Sequence, residues 1–149
     1  LHLTLRFIGD GIEAAQFAAI KRALADVKAA PFTMQFRGVG QFPPPGNGQR
    51  PKPARVLWAG IDDNPALEAL YQQVEAALGK AGVTAEDRPF SAHITLARLD
   101  PPKDAARFLD THRAFETRVI PVERFVLFSS VLAPQGATHK AEAVYKLTE

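Results

Sequence analysis

The sequence predicts one domain of mixed helices and strands, arranged as two pseudo-symmetric lobes. Three observations carry that expectation. The tetrapeptide His-x-Thr-Leu occurs twice, as His2-Leu3-Thr4-Leu5 and as His93-Ile94-Thr95-Leu96. The elements predicted after each copy follow the same order: strand, helix, strand, loop, strand. Finally, 149 residues with 46% hydrophobic side chains suffice for one well-buried domain and are short for two independent ones. A shuffled chain with these four histidines would hold roughly 0.02 such tetrapeptides, so the doubling is not a product of composition.

Each element has its own signal. Residues 1–8 alternate as a strand and end at the turn Gly9-Asp10-Gly11. Ile12, Ala15, Ala19, Ile20, Leu24 and Val27 recur at helical spacing and predict an amphipathic helix over 12–29, stopped by Pro31. Phe32, Met34 and Phe36 alternate in a strand reaching about Phe42. Five prolines and two glycines between Pro43 and Pro53 predict an exposed loop. Residues 55–61 form a strand. Asp62, Asp63 or Asn64 then caps a helix from Pro65 to about Lys80, with Gly79 and Gly82 at its end. The second His-x-Thr strand covers roughly 91–99. Asp100-Pro101-Pro102 is expected to open a helix over about 103–115. Strands near 118–132 and 139–147, separated by Pro134 and Gly136, close the chain.

The repeat is asymmetric at its start. The second motif follows a strand and a helix, whereas a single leucine precedes the first. A natural protein is therefore expected to carry roughly 30–35 further residues before Leu1, supplying the matching pair. Composition excludes other classes. With no cysteine there is no disulfide, no thiolate nucleophile and no cysteine-held zinc or iron–sulfur centre, and a reducing, cytoplasmic setting fits. No apolar run approaches a membrane span, and no signal region opens the chain. A net charge of +2 and a pI of about 9.1 are compatible with a polyanionic partner but do not demand one.

The motif carries chemistry because residues i and i+2 share one face of a strand. Each copy offers an imidazole and a hydroxyl side by side. Imidazole titrates near neutrality, so one histidine can accept a proton while the other donates one. That division suits displacement at phosphorus, where the nucleophile and the leaving oxygen lie in line across the reacting atom. The hydroxyls of Thr4 and Thr95 can donate to the non-bridging oxygens as their charge grows. No metal-ligand spacing is present, and no metal or cofactor is expected.

A single histidine on a strand is ordinarily structural; the repetition is what raises His2 and His93 above that reading. His112, in a charged helix, and His139, beside Lys140, read as solvated surface. Trp58 and the phenylalanines at 32, 36, 125 and 128 read as core packing. Arg50 and Lys52 could make the 43–53 loop a basic flap, although an ordinary exposed loop is the simpler reading. Arg98 and Phe7 each lie five residues after a histidine. Strict alternation puts both on the opposite face, but strand twist or a bulge can re-aim such a residue. As counterparts, one could neutralise phosphate and the other stack on a base. Arg6, in phase with His2 and Thr4, is the other cation for the cleft.

The stretches His2 to Gly9, Val56-Leu57-Trp58-Ala59-Gly60, His93 to Arg98 and Ser129-Ser130-Val131-Leu132 together resemble the two-histidine (2H) phosphoesterases. Among these, the chain is similar to the bacterial and archaeal RNA 2′,3′-cyclic phosphodiesterases, also named 2′-5′ RNA ligases. The resemblance implies a bilobal α+β fold, two antiparallel sheets flanking a central cleft with helices outside. It implies metal-independent hydrolysis of an RNA 2′,3′-cyclic phosphate to a 2′-phosphomonoester. His2 and His93 would be the acid–base pair, with His93 as base on water and His2 as acid to the leaving O3′. Thr4, Thr95 and Arg98 would contact phosphate. Family members usually have proline where this chain has Ala92, and they begin with an N-terminal strand and helix. The expected partner is an RNA end, and the expected form is a cytoplasmic monomer without membrane attachment. ATP-independent 2′-5′ ligation and non-catalytic RNA-end binding are the alternative readings.

Overall fold

The computed structural model describes residues 1–149. In chain order its elements are α1 (Ala14–Ala25), β1 (Phe32–Met34), β2 (Phe36–Phe42), β3 (Ala54–Ile61), α2 (Pro65–Lys80), β4 (His93–Lys103), α3 (Ala106–Thr111), β5 (Ile120–Val122), β6 (Arg124–Ala133) and β7 (Gly136–Lys146). The fold is α+β. Strands β2, β3 and β4 form an antiparallel sheet in that order, β6 and β7 form an antiparallel hairpin, and β1 pairs with β5. No helix is long and apolar enough to cross a membrane.

The elements follow their sequence signals closely where periodicity is strong. Helix α2 begins at Pro65 and buries Leu67, Leu70, Tyr71, Val74, Ala77 and Leu78, the positions expected of one helical face. Elsewhere the structure differs. The helix expected over 12–29 is ordered as α1 only from Ala14 to Ala25. The strand expected from 32 to 42 breaks at Gln35, and a register shift follows between Phe36 and Val39. Pro101 and Pro102 do not open a helix. They lie within β4, which has β3 on one side and is an edge of its three-stranded sheet, where a missing N–H is tolerated. Helix α3 is consequently short, and Asp104 Oδ1 accepts the Ala106 N–H at 2.9 Å at its start.

The chain gathers into two compact units, each assembled from three stretches. Unit 1 comprises Leu1–Leu5, Thr33–Asn64 and Phe90–Ile120; unit 2 comprises Arg6–Phe32, Pro65–Pro89 and Pro121–Glu149. The units do not follow the two halves of the repeat, because both His-x-Thr motifs belong to unit 1. Its core sits on one face of β3 and β4, where Ala54, Leu57, Ala97 and Leu99 pack against Ala105, Phe108 and Leu109 in and around α3. Unit 2 buries Ile20 and Leu24 of α1, the apolar face of α2, and Phe125 and Leu127 of β6. Tyr145 stacks on Phe125 at 4.9 Å and donates its hydroxyl to the Lys21 carbonyl at 3.0 Å, tying β7 to α1.

Candidate active site

In the β3–β4 ladder, Gly60 faces His93, Ala59 faces Ile94 and Trp58 faces Thr95. Residues directly across a ladder present their side chains on the same face. His93 and Thr95 therefore share a face with Gly60 and Trp58, opposite the Leu57 core. The register then shifts: Leu57 faces Ala97 and Val56 faces Arg98, leaving Leu96 as an extra residue. This bulge changes the outcome for Arg98. Unbroken alternation would carry it to the core face, whereas its partner Val56 is in phase with Trp58 and Gly60. Arg98 thus joins His93 and Thr95 on the open face. Ala97 and Leu99 complete the core on the other side.

The first motif meets the second through one antiparallel bridge, Leu3 to Ile94. This is all the β-pairing in the strand expected over 1–8, because the chain passes into unit 2 at Arg6. The bridge sets the register of both motifs. With Leu3 against Ile94, antiparallel running places His2 beside Thr95 and Thr4 beside His93. Continued through one residue on either side, that register would set the four side chains in a two-by-two patch on the face opposite Leu3 and Ile94, with the histidines on one diagonal and the threonines on the other. Direct neighbours in such a patch stand about 5 Å apart at Cβ and diagonal ones about 7–8 Å. That is room for a phosphate between two imidazoles, with a hydroxyl on either side. His93 Nδ1 lies 2.7 Å from the Ser91 carbonyl oxygen. A carbonyl only accepts, so Nδ1 carries the proton of neutral His93 and Nε2 holds the lone pair.

The face is walled by aromatics. Phe42 meets His93 edge-on at 5.1 Å, and Trp58 lies 6.3 Å from His93 and 5.5 Å from Phe42. Sequence reasoning placed Trp58 among core residues and did not weigh Phe42, Gly40 or Ser91. An aromatic pattern at strand spacing reads the same whether it packs a core or surrounds an imidazole. Next to Phe42, the 43–53 loop lacks helix and strand, as its composition requires. Gln41, almost fully buried, closes it by donating from Nε2 to the carbonyls of Pro43 (2.8 Å) and Lys52 (2.9 Å).

The remaining candidates have surroundings of their own. Arg6 belongs to unit 2, where its side chain is 9% exposed and its guanidinium is engaged. Nη1 is 3.1 Å from Glu75, Nε is 3.7 Å from Glu86, and Nη2 donates to the Thr84 carbonyl at 2.6 Å. Alternation gave the phase of Arg6 but could not reveal two carboxylates from α2 and its following loop. Glu86 is held below the usual glutamate range, chiefly by the Arg88 backbone N–H, then by Asp87 and by the Arg88 and Arg6 charges. Phe7 also lies in unit 2, with a 70% exposed side chain. His112 is exposed beside Phe108, and His139 is exposed and within 2.8 Å of the Ser130 hydroxyl.

Residues 1–132 match the sequence model of the 2′-5′ RNA ligase superfamily. The chain belongs to that superfamily. Among its relatives, a protein of Archaeoglobus fulgidus named RNA 2′,3′-cyclic phosphodiesterase is 31% identical over 147 residues, covering 98% of this chain and 79% of its own length. A Thermus thermophilus protein of the same name is 36% identical, covering 93% of this chain and 68% of its own length. Among solved structures, TT0787 of T. thermophilus superposes with a TM-score of 0.71 at 29% identity, covering 98% of this chain and 77% of its own. E. coli LigT, solved with 3′-AMP, has a TM-score of 0.74 at 24% identity over 99% of this chain and 77% of its own, and shares the fold. The α+β architecture expected from the 2H resemblance is therefore the architecture of this superfamily.

Proposed function

We propose that this 2′-5′ RNA ligase superfamily member hydrolyses RNA 2′,3′-cyclic phosphate ends to 2′-phosphomonoesters without a metal ion, with His2 and His93 as the acid–base pair. The Leu3–Ile94 bridge carries this reading, because it sets both His-x-Thr motifs in one register with the imidazoles on a diagonal. Nε2 of His93 takes a proton from water as the water oxygen attacks phosphorus. The P–O3′ bond breaks opposite the entering oxygen, and His2 protonates the departing O3′. The Nδ1–H bond to Ser91 supports His93 as the base, since it leaves Nε2 as the proton acceptor. Thr4 and Thr95 donate to the non-bridging oxygens, and Arg98 offsets their charge. Arg6 and Phe7 stand outside the proposal, Arg6 because its guanidinium is already committed to Glu75 and Glu86.

The test is turnover of an RNA bearing a 2′,3′-cyclic phosphate, in EDTA. Activity should persist there, and His93→Ala or His2→Ala should each lower kcat by about 100- to 10,000-fold. Thr95→Val should cost about 10- to 100-fold, the worth of one hydrogen bond to a charged oxygen. A metal requirement, or near-normal rates in the histidine variants, would sink the reading. Joining of RNA ends faster than their opening would replace it with ligation, and tight binding without turnover would replace it with an end-binding role.

A further inference from the structure

Gly40 and Trp58 are cross-strand partners in the β2–β3 ladder. A Cβ at Gly40 would overlap Cζ2 and Cη2 of the Trp58 indole. The backbone itself does not demand glycine there, because Gly40 has no positive φ. The same indole occupies the space over Gly60, the partner of His93. A Cβ at Gly60 would lie 3.1 Å from indole Cζ3 and 3.2 Å from the Arg37 carbonyl oxygen. Two neighbouring positions without side chains therefore let the indole lie down along the face that bears His93. It is tilted 55° to the imidazole, and Phe42 closes the triangle at 78° to His93.

The indole keeps this place at a cost. Its Nε1–H is buried without an acceptor, which disfavours the folded chain. A phenylalanine at this position would carry no such group, so hydrogen bonding is not what the tryptophan supplies. Its bicyclic span, reaching from above Gly40 toward His93, is what a smaller ring lacks.

We propose that Trp58, seated on Gly40 and backed by Phe42, is a positioning residue for His93. It fixes the plane of the imidazole so that Nδ1–H stays on the Ser91 carbonyl and Nε2 stays turned toward the substrate. The inference rests on the catalytic role proposed above for His93. Misplacing a reacting group by about an ångström costs on the order of 100-fold in rate without a matching loss of binding.

The experiment compares Gly40→Ala, Trp58→Phe and the double variant. Each is assayed for kcat and KM on the cyclic-phosphate RNA, for Tm, and for the His93 tautomer by imidazole 15N NMR. Gly40→Ala should lower kcat about 10- to 100-fold with KM nearly unchanged, and His93 should show a mixture of tautomers in place of one. Adding Trp58→Phe should open room over Ala and restore part of that kcat. The inference is overturned if both single variants keep kcat within about twofold. It is equally overturned if activity falls only as the folded fraction falls, or if the double variant loses the product of the single losses. A wild-type protein that leaves cyclic phosphate intact would sink the functional reading instead, while the NMR arm still decides whether Trp58 sets the His93 tautomer.

Discussion

At the scale of single residues, the two arginines near the motifs have separate fates for physical reasons. Arg98 is on an edge strand with an open face before it, and the extra residue Leu96 rotates it into phase with His93 and Thr95. Arg6 is nearly buried, where a guanidinium must be paired, and Glu75 and Glu86 supply the charge. Arg6→Leu should therefore cost roughly 3 kcal/mol of stability at neutral pH, because it strands carboxylates that were matched. Its pH dependence should keep the same sign. In the wild type the Glu86 pKa is lowered in the folded state, so its contribution is present above the ordinary glutamate pKa and is lost as pH falls through the folded value. In Arg6→Leu the Arg88 N–H and Asp87 still hold the Glu86 carboxylate, so that acid loss should persist. Urea melts between about pH 4 and pH 7 check both claims. A variant as stable as wild type, or one without the acid loss, would contradict this account.

At the scale of elements, Gln41 shows how one buried amide sets a loop. Its Nε2 spends both hydrogens on the Pro43 and Lys52 carbonyls, and the Lys52 N–H returns to the Pro45 carbonyl at 3.0 Å. Gln41→Ala should leave those carbonyls without their buried donor, cost about 1–2 kcal/mol and speed proteolytic nicking between Pro45 and Lys52. Unchanged cleavage there would show that the loop holds itself. The elements differ in how far their residues announced them. The apolar face of α2 and the alternation of β3 were readable because a long periodic run has one good solution. The bulge at Leu96 was not, since leucine fits a regular ladder as well as a broken one. Pro101 and Pro102 misled for a related reason: prolines open helices, yet they also sit on sheet edges, and only the pairing tells which. The reactive groups of the proposed site, His2, Thr4, His93 and Thr95, come from the doubled motif. What surrounds them was not legible, because Gly40 and Phe42 acquire meaning only through the strand beside them.

At the scale of the whole molecule, the two units are woven from one chain that alternates between them, so neither is a continuous segment. The aromatic residues happen to report on them separately. The single tryptophan, Trp58, lies in unit 1, and both tyrosines, Tyr71 and Tyr145, lie in unit 2. The three stretches of each unit are joined in sequence through those of the other, so unfolding of either should release both. Tryptophan fluorescence and tyrosine absorbance should give one coincident denaturant midpoint. Two separated midpoints would mean that the units are independently stable. The first histidine adds a consequence of another kind. It is registered to the second through the lone Leu3–Ile94 bridge, and a bridge of one pair opens and closes far more often than a ladder. Under the acid role proposed for His2, the turnover number is the chemical rate multiplied by the fraction of time that bridge is shut. Deuterium uptake at the amides of Leu3 and Ile94 would act as a clock for the enzyme's working hours.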